Sequence, residues 1–307
     1  MTAAVIIPTY NGAQRISRTL SALSEQSYAD FELIIVNDGS TDDTVNVVAE
    51  IEMLPKPVVI TQANKGRAGA RNAALQATSA ELLIFFDDDM VPEKDAVSKH
   101  IAHHESYPMT ALTAIQRANP AEAHTDFLHF TAFRNEQWMK GLGEELKQMN
   151  ASNLFFTSAH CSMPRKLLEE VGGFDESLTD AEDFELATRV LERGYDVYFS
   201  PEILAWHNDG LTMEKYILRQ RQYLSAWKTL ASKKPHLIHN YSRFSLRKPS
   251  GLKKWFFRIL ARPQIVKAVD NERLNYLPKN FRYQLYEYII ASLGRYNPDI
   301  ELNTNAR

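Results

Sequence analysis

Residues 82–92 read LLIFFDDDMVP, so five apolar side chains run straight into Asp87, Asp88 and Asp89. Neighbouring carboxylates repel one another and cost stability unless positive charge sits among them. A divalent cation meets that need, and oxygen ligands of this kind suit Mg²⁺ or Mn²⁺. Along an extended chain alternate side chains share a face, which predicts that Asp87 and Asp89 converge while Asp88 turns aside. The alternative is a solvated acidic loop, with Pro92 and Glu93 opening a helix.

Four further groups carry chemistry. Asp38, in VNDGSTDDT, offers a carboxylate to a base or a ribose, although Asn-Asp-Gly also favours a plain turn. In NKGRAGARN, Gly66 and Gly69 allow close backbone approach, and Lys65, Arg67 and Arg71 offer positive charge to a diphosphate. The same stretch also reads as a helix start with a solvated basic face. It is neither a Walker loop nor a G-x-G-x-x-G turn. Glu182 and Asp183 open a helix, where acids serve as caps or, beside other carboxylates that raise their pKa, as a general base. His207, in ILAWHND, is a structural histidine or the third ligand that a two-carboxylate metal site wants.

These groups need a scaffold, and the first hundred residues supply an alternating one. Apolar runs at AAVIIPTY, FELIIVNDGS, KPVVITQA and AELLIFFDDD read as strands. Between them lie three helical stretches. The first has its apolar face at Ile16, Leu20 and Leu23, and the second has Ser40 or Thr41 as N-cap with acids in its first turn. Strand–helix alternation predicts an α/β fold, a mostly parallel sheet flanked by helices, with ligands at the carboxyl ends of the strands. Further along, MTALTAIQ reads as a strand, 126–149 as helical, NLFFTSAHCSMP as strand-like, and 165–178 as a helix stopped by Gly172 and Gly173. A helix from Glu182, a stop at Gly194, a strand and a loop ending in His207 follow, and beyond 211 the chain reads as largely helical.

Composition bounds the class. With 44% hydrophobic and 24% charged residues, the 307-residue chain is an ordinary globular protein. No apolar run approaches the roughly 20 residues that cross a bilayer, and the N-terminus reads as a first strand rather than a signal peptide. A lone cysteine, Cys161, excludes an internal disulfide and fits a reducing cytosol. The net charge of −3 hides a split: residues 1–215 hold 17 basic and 33 acidic side chains, and residues 216–307 hold 18 and 5. The acidic part suits cations, and the basic part suits an anionic surface or ligand.

The ordered set PTYN, VNDGSTDDT, NKGRAGARN, FFDDDMVP, GGFDE, AEDFELATRVLERGY and AWH resembles family 2 glycosyltransferases of the GT-A fold, over roughly residues 3–210. The resemblance implies a Rossmann-like catalytic domain, and the charge split sets its bounds at 1–215, followed by a basic, mostly helical region at 216–307. It also implies transfer of a sugar from a nucleotide-diphosphate donor to a hydroxyl acceptor, with inversion. By motif position, Pro8, Thr9 and Tyr10 would line the nucleotide pocket, Asp38 would read the base and Arg71 would stand near the nucleotide. Asp87 and Asp89 match the D-x-D pair, with Asp89 the closer to the cation and Asp88 beside the nucleotide sugar. Asp183 matches the base, supported by Glu182, and His207 matches a frequent metal position. A UDP-sugar is the favoured donor, with dTDP and GDP open. The Q-x-x-R-W motif of processive members is missing, which implies a non-processive enzyme. The family often has asparagine where His160 stands, a position toward the acceptor.

Two rivals remain at this level. One is a haloacid dehalogenase-like phosphatase, whose strand-then-D-x-D opening IFFDDDMV also fits. The other is a non-catalytic sugar-nucleotide-binding protein on the same fold. In the C-terminal third, Arg243, Arg247, Lys248, Lys253, Lys254, Arg258, Arg262 and Lys267 alternate with Trp255, Phe256, Phe257, Ile259 and Leu260. That pattern suits peripheral contact with an anionic membrane, as a saccharide or lipid-linked acceptor would want, at the inner face of a cell membrane. It equally suits a helical appendage packed on the catalytic part or on a second subunit. Nucleic acid shares the composition but conflicts with the acidic catalytic region.

Overall fold

The computed structural model describes residues 1–53, 55–207, 210–241 and 249–302. Arg243, Arg247 and Lys248 of the basic stretch lie outside the described residues. The first four apolar runs form β1 (Ala3–Thr9), β2 (Glu32–Asn37), β3 (Val58–Thr61) and β4 (Leu82–Phe86). Between them lie α1 (Ile16–Ser24), α2 (Thr44–Glu50) and α3 (Gly66–Ala74). Then follow β5 (Met90–Pro92), α4 (Ala96–Ser106), β6 (Ala111–Arg117), α5 (Asp126–Lys140), β7 (Lys147–Met149), β8 (His160–Pro164), α6 (Arg165–Val171), α7 (Glu182–Glu192) and β9 (Val197–His207). The C-terminal helices are α8 (Met213–Lys233), α9 (Pro235–Tyr241), α10 (Gly251–Leu260), α11 (Pro263–Asp270) and α12 (Lys279–Ile290), closed by a π-helical turn at Ala291–Tyr296.

The described strands make one sheet of nine, ordered β3-β2-β1-β4-β8-β6-β9-β5, with β7 also on β9. It is parallel across β3, β2, β1 and β4. Beyond β4, the strands β8, β5 and β7 enter antiparallel, while β6 and β9 pair in parallel. Side chains alternate across a strand, and both faces are covered here. Ile6, Ile34, Leu83 and Phe85 pack with Ala70 of α3, Leu167 of α6 and Leu186 of α7. Val5, Ile35, Ile84 and Phe86 pack on the other side with Ile16 and Leu20 of α1 and Val97 of α4. A separate core joins Phe127 and Phe130 of α5 to Ile217 of α8, Val266 of α11 and Tyr286 of α12.

Several local expectations are corrected. Helix α2 starts at Thr44 with no acid in its first turn. Ser40 and Thr41 bind the backbone N–H and side-chain oxygen of Asn11 instead, and Asp42 accepts from Thr44 N. Pro92 lies in β5 against Ala205, and the next helix waits until Ala96. The helix from 126 ends at Lys140, because 147–149 pair with β9. His207 is the last residue of an eleven-residue strand rather than the end of a loop. The stop after α6 is as expected: Gly172 has φ +90°, open to glycine, and Gly173 N reaches back to Leu168 O.

Candidate active site

The carboxyl ends of β1, β2 and β4 lie side by side, and the chain turns sharply after β4. Met90 N donates to Asp87 O at 3.1 Å, so the three aspartates occupy a turn rather than the extended segment expected. The turn still divides them. Asp87 and Asp89 face a cavity of about 990 Å³, large enough for a substrate of several rings. Asp88 points the other way and is buried. It accepts from Thr9 Oγ1 at 2.6 Å and from Arg15 Nε and Nη2 at 3.0 Å, and Thr19 Oγ1 donates to its carbonyl. Asp88 thereby ties α1 and the end of β1 to the end of β4. Burial raises its pKa against the pull of Arg15. Gly12 makes the approach possible, since a Cβ there would lie 2.3 Å from both Asp88 Oδ2 and Thr9 Oγ1.

Arg71 holds the other side. It is 1% exposed and donates to Asp87 Oδ1 at 2.7 Å and to Glu182 Oε1 at 2.9 Å. Burial opposes the charge of Asp87, but Arg71 and Arg67 outweigh it and hold the carboxyl below its ordinary value. Glu182, 4% exposed, is bound to Arg71 and sets the start of α7. The next residue, Asp183, faces the cavity. Burial first, and the Glu182 charge second, push its carboxyl up to about 7. A carboxylate poised near neutrality is suited to taking a proton at physiological pH.

On the rim, His207 Nε2 lies 3.3 Å from Asp89 Oδ2, and both line the cavity. Asp89 Oδ1 is buried with no hydrogen-bond partner. An orphaned carboxylate oxygen beside an imidazole nitrogen fits one side of a hard divalent cation that takes its other ligands from phosphate oxygens and water. Among the described residues, no group of three or more His, Cys, Asp and Glu gathers as a protein-only metal cage.

The sequence-predicted residues therefore fall into two sets. Arg71, Asp87, Asp89, Glu182, Asp183 and His207 line one cavity. Pro8, Thr9, Tyr10, Asp38 and Asp88 do not. Pro8 and Thr9 are buried in β1, and Tyr10 stands exposed just beyond it. Asp38 accepts from Gln62 Nε2 and from the N–H groups of Lys65 and Gly66, pinning the start of α3. Three of its roughly four acceptor positions are used. His160, expected toward the acceptor, is instead wholly buried, with Nδ1 3.1 Å from Ile115 O and its ring against Phe86 and His100. Burial lowers its pKa to about 3, so it stays neutral.

Sequence reasoning missed a second ionic tie. Asp180 Oδ1 accepts from Arg67 Nη1 at 2.8 Å and lies 3.0 Å from Arg219 Nη2, joining α3 to α8 across the cavity. Arg219 also stacks over Tyr223. The available signal was a basic helix, with Glu214 as its one acid, set beside an acidic catalytic half. A second cavity of about 920 Å³ adjoins the first, sharing Trp138, His207, Tyr216 and Trp227 in its wall. Ile290, Ala291, Gly294 and Arg295 also line it.

This combination of sheet, D-x-D turn and acid at a helix start marks a class. A family model described as Glycosyl transferase family 2 matches residues 4–172, and the chain belongs to that family. It is 24% identical over 214 residues to an O-antigen chain rhamnosyltransferase of Salmonella typhimurium, covering 68% of this chain and 67% of that one. It is 29% identical over 300 residues to a validoxylamine A glucosyltransferase of Streptomyces hygroscopicus, covering 89% and 67%. The chain thus spans about two thirds of the length of these curated relatives. Among solved structures, a mannosyltransferase of Pyrobaculum calidifontis in complex with GDP-Man and Mn²⁺ matches with a TM-score of 0.61 at 22% identity, covering 97% of this chain and 88% of that one. Residues 1–349 of S. aureus TarS in complex with UDP match at 0.57 and 19%, covering 95% and 90%. At these identities the likeness is one of fold, and the fold is GT-A. With family membership established, the phosphatase alternative loses its basis.

Proposed function

We propose that the protein is an inverting, metal-dependent, non-processive glycosyltransferase acting in surface polysaccharide or glycolipid synthesis. The donor is a nucleotide-diphosphate sugar, with UDP favoured, and the acceptor is a hydroxyl of a saccharide or lipid-linked glycan. It works in the cytoplasm or at the inner face of the membrane. One observation carries the reading: Asp183, with its carboxyl raised to about 7, shares a cavity with Asp87, Asp89 and His207.

In the proposed step Asp183 takes the proton of the acceptor hydroxyl. The oxygen attacks the anomeric carbon from the face opposite the diphosphate, and the bond to the diphosphate breaks with its electron pair. Attack from that side inverts the centre, so no enzyme nucleophile is required. Glu182 and Arg71 act as positioning residues, fixing Asp183 and Asp87 on one buried guanidinium. Asp89 and His207 would hold a Mn²⁺ or Mg²⁺ ion, which when bound neutralises the charge gathering on the departing diphosphate. Arg67 and Arg15, both lining the cavity, add positive charge there. Exposed Tyr10 would meet the nucleoside, and Asp38 would offer the base its remaining acceptor position, about one, while Thr9 stays behind them on Asp88.

The test pairs a donor panel with two variants. UDP-, GDP- and dTDP-sugars, with and without Mn²⁺, should give one donor whose thermal stabilisation depends on metal. Asp183→Asn should lose turnover by about 10²–10⁴-fold while keeping that donor-induced shift. Asp89→Ala should lose the metal dependence. Full turnover in Asp183→Asn would sink the base assignment, and wild-type binding without any turnover would establish the non-catalytic alternative.

A further inference from the structure

The helix α10 has no buried residue, an unusual state for a segment containing Leu252, Trp255, Phe256 and Ile259. Their exposures are 87%, 66%, 41% and 37%. Spaced i, i+3, i+4 and i+7, they form one stripe along the helix. The opposite side holds the helix to the body: the Phe257 ring lies tilted against Tyr296 at 4.5 Å, and Ser292 Oγ donates to Phe257 O, while at the margin of the stripe Phe256 meets Tyr288 edge-on at 5.3 Å. Leu252, Trp255 and Ile259 are therefore turned outward, with Phe256 at the edge of the packed side. By helical spacing Arg258 borders the stripe on one side and Lys253 on the other, with Lys254 further round beyond Arg258, all exposed. Arg262 and Lys267 continue the exposed charge into α11.

The charge is one-signed over a long reach. Between Glu214 and Asp270 the chain carries fourteen Lys and Arg and no acid. Those near the cavity are engaged by the catalytic half, as Arg219 is by Asp180 and Lys234 by Asp175 and Glu185. Those on α10 lie beside the apolar stripe instead. Aromatic and aliphatic groups on one face with cations at its edge are the chemistry of a helix lying in the headgroup layer of an anionic bilayer. A second copy of the chain would meet the same positive charge with its own. Ten residues are too few to span a bilayer, so such a helix lies in its plane.

We propose that α10 is the membrane-docking element of this protein and that its partner is an anionic phospholipid surface. The stripe of Leu252, Trp255, Phe256 and Ile259 enters the interface while Lys253, Lys254 and Arg258 meet the phosphates. The π-helical turn at Ala291–Tyr296 stands between α10 and the second cavity, touching one and lining the other. A docked α10 thus sets that cavity one layer of chain from lipid, which on the glycosyl-transfer reading favours a lipid-linked acceptor.

The experiment uses the full chain with vesicles of phosphatidylcholine alone or phosphatidylcholine mixed with phosphatidylglycerol. Co-flotation and a blue shift of tryptophan emission are expected with the anionic vesicles only, weakening as salt rises. Leu252→Glu/Trp255→Glu should reduce vesicle affinity by more than about 10-fold, and Lys253→Glu/Lys254→Glu should do the same. Both variants should keep the wild-type circular dichroism and melting profile, because none of these side chains is buried. Equal flotation of wild type and variants would overturn the proposal. So would a concentration-dependent dimer, seen by light scattering, that Leu252→Glu/Trp255→Glu abolishes, since a second copy would then cover the face. Donor turnover measured without vesicles reports on the glycosyl-transfer reading separately, so either can fail alone.

Discussion

Arg71 on α3 is 1% exposed and bridges two carboxylates, whereas Lys253, Lys254 and Arg258 on α10 stand in solvent among exposed rings. The two regions have nearly opposite charge and use it in opposite directions. In the catalytic region charge is drawn inward: Arg71 serves buried Glu182 and half-buried Asp87, Arg15 and Thr9 serve Asp88, and Arg189 and Lys234 serve Glu185. Burying a carboxylate is costly unless it is paired and hydrogen-bonded, so these partners are conditions of the fold. In the C-terminal region the cations divide. Arg219 of α8 and Lys234 reach across the seam to the acidic half, Arg221 of α8 holds the carbonyls of Leu293 and Ile300, and those on α10 face outward. The contrast teaches that sequence charge alone does not locate function, whereas charge together with burial does.

The strongest way to break the comparison is at Arg71. Arg71→Met leaves buried Glu182 and half-buried Asp87 without their shared cation and should cost about 3–5 kcal/mol in denaturant unfolding. Arg71→Lys should not restore it, because a point charge cannot span Asp87 and Glu182 as the planar fork does. A loss below about 1 kcal/mol would show that the network is not what holds the acids.

The next largest effect is on Asp183 and has a sign that depends on pH. Its carboxyl is raised to about 7 in the folded chain, against about 3.9 when unfolded. A raised carboxyl gives its full stability below the unfolded value and loses it as pH climbs through the folded one. Asp183→Asn should therefore be more stable than wild type at about pH 8, by about 1–3 kcal/mol, and little different near pH 4. The activity of wild type should rise along its acid limb through about pH 7 as the base ionises. Equal melting of both proteins at both pH values would contradict the raised carboxyl.

The smallest effect sharpens the other side. Leu252→Ser on α10 should change unfolding stability by no more than about 0.5 kcal/mol in the absence of lipid, because its side chain buries nothing. A large loss there would mean that α10 is covered in the folded protein.

Much of this was legible in the residues. The strand–helix alternation through β4 follows from local apolar runs, and the core faces of α1 at Ile16, Leu20 and Leu23 are buried as their spacing predicts. What was not legible depends on distant partners. The short strand β7 exists because Val197–Phe199 pairs with it, and α5 ends accordingly. The N-cap residues of α2 were misplaced because Ser40 and Thr41 bond to Asn11, some thirty positions away. At the site, the cavity-lining acids could be named from motif order. The burial of Arg71 could not, since its partners lie 16 and 111 positions away. The engagement of Asp38 with the start of α3 was hidden for the same reason.

The shared guanidinium also constrains how this enzyme can change. Asp87, on the proposed leaving-group side, and Glu182, adjoining the proposed base, are fastened to one rigid side chain, so neither can be altered without disturbing the other. Mutational effects at Asp87, Arg71 and Glu182 then behave as one epistatic unit. A lineage exploring new donors or acceptors would find its freedom elsewhere on the cavity wall, at positions such as Leu218, Gln222 and Trp138 that line it without joining the network. Specificity can drift there while the triangle stays frozen.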